Sequence, residues 1–86
     1  MRIDYSKMFI KQLKKAPLKL HGAFKKRLAL FILNPFAVLL NNHSLKGRWK
    51  GFKSINITGD FRAVYEPISS DIALFIAIDT HSNLYG

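Results

Sequence analysis

The chain has 86 residues, a mass of 9.9 kDa and a net charge of +9, with 49% hydrophobic and 13% aromatic residues. So short a chain buries only about 60–65% of its unfolded surface, which excludes two independent cores, and its apolar content excludes intrinsic disorder. It has no cysteine, so disulfides, zinc-thiolate sites and thiol nucleophiles are excluded as well.

The longest apolar run, residues 72–78, falls far below the ~20 residues a spanning helix needs, so no membrane span is expected. The chain does not open on a basic stretch followed by an apolar segment, and without a secretory signal a cytoplasmic location is expected. Charge is the first positive clue. Residues 1–53 hold thirteen of the fourteen bases and one acid, Asp4, whereas residues 54–86 hold one base, Arg62, and four acids. This asymmetry favours a polyanionic partner over a merely basic solvated surface: nucleic acid, an acidic protein or an anionic membrane surface.

In chain order, residues 2–5 read as a strand. Ser6 can cap a helix over residues 6–16, in which Phe9, Leu13 and Ala16 recur at helical spacing and Lys7, Lys11, Lys14 and Lys15 occupy the other stripe. Pro17 separates it from a second helix at about residues 18–33, whose buried stripe is Leu20, Phe24, Leu28 and Phe31. His21 on that helix is read as a surface residue without a role. Asn34-Pro35 stops the helix, residues 36–40 form one apolar turn, and a loop over residues 43–48 follows. Residues 49–57 read as a strand and Thr58-Gly59-Asp60 as a turn. Residues 61–68 form the next strand, with Phe61, Ala63 and Tyr65 on one face and Arg62, Val64 and Glu66 on the other. After a turn at Ser69-Ser70-Asp71, residues 72–78 are apolar on both faces, as in a strand covered on both sides. The tail, residues 79–86, is short, polar and aromatic. The expected architecture is one α+β domain over residues 1–86. An N-terminal strand and two helices pack on one face of a mostly antiparallel four-stranded sheet.

The chemistry is sparse. There is no Gly-rich phosphate loop, no Ser-His-Asp cue and no histidine pair at i, i+4, and His21, His43 and His81 are far apart in sequence. Neither a metal nor a cofactor is expected. Lys46, Arg48, Lys50 and Lys53 surround Trp49. Such bases can contact phosphates while the ring stacks on a nucleobase, although a basic hairpin with Trp49 in the core fits the composition equally well. A regular hairpin through residues 69–71 sets Arg62 opposite about Ile78 and Asp60 near Thr80. Asp60, Arg62 and His81 then converge at one end of the sheet. Those residue types support phosphodiester cleavage of RNA, which carries its own 2′-OH nucleophile. Histidine can move the protons and arginine can match the phosphate oxygens.

Three segments in order, His43-Ser-Leu-Lys-Gly-Arg-Trp-Lys-Gly-Phe, Thr58-Gly-Asp-Phe-Arg-Ala-Val-Tyr and Asp79-Thr-His-Ser-Asn-Leu-Tyr-Gly, closely resemble the RelE/YafQ-type toxins of bacterial type II toxin–antitoxin systems. The resemblance spans nearly the whole chain. It implies a RelE-like fold and a metal-independent endoribonuclease that cleaves mRNA, usually on the ribosome, and is neutralised by a cognate antitoxin. It implies catalytic roles for His43, Asp60, Arg62, His81 and Tyr85, and RNA contacts for Phe61, which stands where the YafQ branch has Trp. Lys7, Lys11 and Lys14 would reach RNA phosphates. Two positions depart from that branch: Asn56 stands at a histidine position and Ala77 at an arginine position. A ParE-like toxin acting on DNA gyrase, or a catalytically inactive relative that binds RNA or antitoxin, shares the same fold expectation.

Overall fold

The computed structural model describes all 86 residues. Its elements are β1 (Arg2–Tyr5), α1 (Lys7–Lys15), α2 (Leu18–Leu33), β2 (His43–Ser44), β3 (Lys53–Asn56), β4 (Phe61–Ser69), β5 (Ile72–Thr80) and α3 (His81–Tyr85). Single 3-10 turns lie at Val38–Leu40 and Gly47–Trp49. No helix is long and apolar enough to cross a membrane.

The local signals act as read. The Ser6 hydroxyl accepts from Phe9 N–H at 3.0 Å and caps α1. Lys14 and Lys15 complement its C-terminal dipole, and Ala16, before Pro17, leaves the helix in extended geometry. Pro17 then leads directly into α2.

The sheet has five strands in the order β1-β5-β4-β3-β2, with β1 parallel to β5 and the other pairs antiparallel. The fifth strand, beyond the four expected, is the two-residue edge His43–Ser44. The single strand expected over residues 49–57 is broken. Gly51 adopts φ +93°, a backbone open mainly to glycine, so a turn precedes β3. The tail forms α3, capped by the Thr80 hydroxyl.

α1 and α2 cover one face. There Phe75 of β5 lies 5.4–5.8 Å, ring centre to ring centre, from Phe9, Phe24, Phe31 and Tyr65, mostly edge-on. Each such pair adds about 0.5–1.5 kcal/mol to the area it buries. Burial pushes the Tyr65 phenol above its usual range, and a hydrogen bond with Asn42 pulls it part of the way back. On the opposite face Val64, Ala77 and Leu84 form a smaller cluster, flanked by Leu45, Trp49, Phe52, Ile76 and Tyr85.

One irregularity divides β5 between the two faces. Tyr65 pairs with Phe75 and Val64 with Ala77, leaving Ile76 as a bulge. Phe75 and Ile78 therefore belong to the helix-covered core, whereas Ile76 and Ala77 lie on the other face. A second irregularity, between Pro67 and Ser69, offsets this bulge, so Arg62 stands opposite Asp79 in the register of the Ser69–Ile72 pair, one residue beyond the Ile78 of the expected hairpin.

Candidate active site

The face away from α1 and α2 carries the polar chemistry. Across the sheet, His43, Ser54, Val64 and Ala77 form one row and Asn56, Arg62 and Asp79 the next. α3 crosses above these rows and carries His81 and Tyr85, whose rings meet edge-on at 4.7 Å. The Tyr85 hydroxyl donates to Ser54 Oγ at 3.0 Å. Ser54 is the one fully buried polar side chain, and this bond satisfies it.

Each member is held by its neighbours. Asn41 takes a left-handed backbone, φ 45°, and its carbonyl lies 2.7 Å from His43 Nδ1. A carbonyl only accepts, so Nδ1 carries a proton, and in the neutral ring the lone pair is on Nε2. Asn42 bonds the Tyr65 hydroxyl and the Pro35 carbonyl, which fixes the approach to β2. Asp79 Oδ1 accepts from Thr80 N–H at 2.7 Å and Asn83 Nδ2 at 3.0 Å. The His81 N–H donates to the Asp60 carbonyl at 2.9 Å, joining the β3–β4 turn to the start of α3. At the other end of α3, Arg48 Nη2 and Trp49 Nε1 donate to the Leu84 carbonyl at 3.1 and 2.9 Å.

Of the residues singled out in the sequence, His43, Asp60, Arg62, His81 and Tyr85 lie on or at the end of this face, and the loop with Lys46, Arg48 and Lys50 borders it. Arg62 is committed to the turn: its guanidinium donates to the carbonyls of Thr58, Gly59 and Phe61 at 3.0–3.3 Å. Five others are not brought in. Lys53 and Phe61 fall on the helix-covered side by strand alternation. The Lys53 ammonium lies 5.6 Å from the Phe36 ring centre, and Phe61 packs against the main core. Lys7, Lys11 and Lys14 are exposed on α1, in the layer behind the sheet. His21 is half-buried rather than a surface residue. Its Nε2 has no partner, and it lines an apolar groove between α1 and α2.

Sequence reasoning missed Ser54 and Asp79. Ser54 carried one signal, a polar residue alternating with Ile55, but its value depends on Tyr85 arriving from 31 residues away. The Asn56 Oδ1 is buried and unpartnered at the histidine position noted above.

Three helices and a five-stranded mixed sheet make an α+β fold that matches the solved RelE-like toxins. A YoeB/ParE toxin from Agrobacterium tumefaciens shares the fold, with a TM-score of 0.76 over 94% of this chain and 99% of its own at 21% identity. Within that class the chain belongs to the YafQ family: the family described as bacterial toxin of type II toxin-antitoxin system, YafQ, matches residues 1–86. A Haemophilus influenzae protein named as a YafQ toxin is 30% identical, with 83% of this chain and 76% of that protein covered. The crystal structure of YafQ from Escherichia coli strain BL21(DE3) matches with a TM-score of 0.81 at 28% identity, covering both chains completely. YafQ in the E. coli DinJ–YafQ complex matches with 0.78 at 28% identity, again over the full length of both.

Proposed function

We propose that this toxin is an mRNA interferase: an endoribonuclease that cuts messenger RNA in the cytoplasm, on the ribosome, and is held inactive by a cognate antitoxin. The observation that carries the reading is the gathering of His43, His81, Tyr85 and the Asp60 turn on one face bordered by a basic loop. The E. coli relative found in complex with DinJ supports the antitoxin.

The reaction needs two proton transfers and no cofactor. A base removes the 2′-OH proton, the 2′-oxygen forms a bond to phosphorus, and the bond to the 5′-oxygen breaks as an acid protonates it. The products are a 2′,3′-cyclic phosphate and a 5′-hydroxyl. His43, with the Nε2 lone pair of its neutral ring, suits the base, and His81 suits the acid. Asp60 lies in the β3–β4 turn at the end of the face, and its carbonyl holds the His81 backbone. Tyr85, fixed by Ser54, offers a ring for stacking and a hydroxyl for a phosphate oxygen.

The test is incubation of the protein with messenger RNA, alone and on translating ribosomes, with new ends mapped by primer extension. Cuts that disappear in His81→Ala and His43→Ala support the reading. No cuts from folded protein in either setting overturn it in favour of gyrase binding or an inactive relative.

A further inference from the structure

Cleavage adds negative charge to the phosphate, and a cation fixed beside it is worth far more than one that must first be ordered. Two arginines approach the polar face. Arg62 has its guanidinium turned back onto three turn carbonyls. Arg48 is different. Only its Nη2 is engaged, by the Leu84 carbonyl, and its guanidinium carbon lies 5.4 Å from the Trp49 ring centre. Trp49 is itself anchored to the same carbonyl. The side chain is thus held by a ring and one hydrogen bond while Nη1 and Nε keep their donors.

Its position matters more. Arg48 and Lys46 line a notch of about 260 Å³ whose opposite wall is Leu84 and Tyr85, and Tyr85 in turn touches His81. No acidic side chain lines this notch. Arg48 and Trp49 also line a second pocket, which holds Asp79, but no salt bridge joins Asp79 to Arg48. The Asp79 Oδ1 is turned to Thr80 and Asn83. Gly47, φ +65°, and Gly51, φ +93°, bracket the turn that presents Arg48. Both geometries strain any other residue.

We infer that Arg48 is the cation that neutralises the phosphate being cut, gripping it in the notch beside Tyr85. This rests on the interferase reading. The planar fork suits two phosphate oxygens at once, which an ammonium does not.

The test uses the intact protein in two assays. In cleavage under saturating RNA, Arg48→Ala lowers kcat by about 100-fold with KM changed only a few-fold. Arg48→Lys recovers only part, and Lys26→Ala, which removes one charge from α2, is neutral. In the second assay Trp49, the only tryptophan, reports binding of an oligoribonucleotide blocked by 2′-O-methyl groups. Arg48→Ala lowers the slope of log affinity against log salt by about 0.7, the loss of one phosphate contact on a single strand. A purely structural role through the Leu84 carbonyl lowers the melting temperature without changing that slope. Arg48→Ala cleaving within threefold of wild type, a loss confined to KM, or an unchanged salt slope each overturns the assignment. A wild-type protein that never cleaves overturns the interferase reading instead, and the Trp49 titration still decides whether Arg48 holds a phosphate.

Discussion

The two faces of the sheet use the same strands for opposite purposes. On the helix-covered face, Phe75 sits among five other aromatic rings and Ile55, Ile57, Ala63 and Ile78 fill the remainder. On the other face the core shrinks to Val64, Ala77 and Leu84. Around it, a histidine, a tyrosine and an arginine are held by single hydrogen bonds to backbone or to Ser54. One face supplies cohesion, and the other uses little apolar area to keep polar groups fixed and reachable. The lesson is that substitutions on the two faces separate stability from activity.

The sharpest separation comes from His81→Ala. His81 is exposed, so the melting temperature stays near wild type while the cleavage rate falls by about 10²–10⁴, the usual worth of a general acid or base. Phe75→Ala is the reverse case. Emptying the centre of the aromatic cluster costs about 3–5 kcal/mol. Calorimetry then shows a melting temperature lower by well over 10 °C, and the protein that remains folded still cuts. Equal loss of rate per folded molecule in both variants would erase the distinction.

Ser54→Ala tests the link between core and site. Losing the bond to Tyr85 costs about 1 kcal/mol and slows cleavage, and Tyr85→Phe reproduces both effects. The double variant is no worse than either single one if the pair acts as a unit. The smallest effect is expected at high pH. The Tyr65 pKa is raised above its ordinary 10.0 by burial. Below pH 10 both folded and unfolded chains keep the phenol proton, and the stabilisation is complete. Above it the unfolded chain loses the proton first, so stability falls as pH rises through the folded pKa. Urea midpoints measured from pH 7 to 11 show that decline, and Tyr65→Phe flattens it in part, since Tyr5 is raised in the same direction.

Much of this was legible along the chain. The Ser6 cap, the Pro17 break and the Leu20, Phe24 and Phe31 stripe fix α1 and α2 through interactions a few residues long. The alternation of Phe61, Ala63 and Tyr65 with Arg62, Val64 and Glu66 sorted β4 correctly, because a strand's period is a local property. The same alternation, carried one strand back along the chain, sets Lys53 on the face of Ile55 and so away from the site.

What lay beyond the sequence depends on pairing. The edge strand His43–Ser44 exists only because β3 lies beside it, and α3 forms where its capping groups meet the β3–β4 turn and the Trp49 loop. The Ile76 bulge is a decision of two strands, not of one. It moves Ala77 to the polar face, and with the shift between Pro67 and Ser69 it leaves Arg62 opposite Asp79. The helices, the faces of the long strands, the positive charge and the identity of the reactive side chains are all written in the chain, because each is set within a few residues. Which of those side chains meet is settled by folding alone, because Ser54 with Tyr85 and Arg48 with Leu84 are contacts between residues more than thirty positions apart.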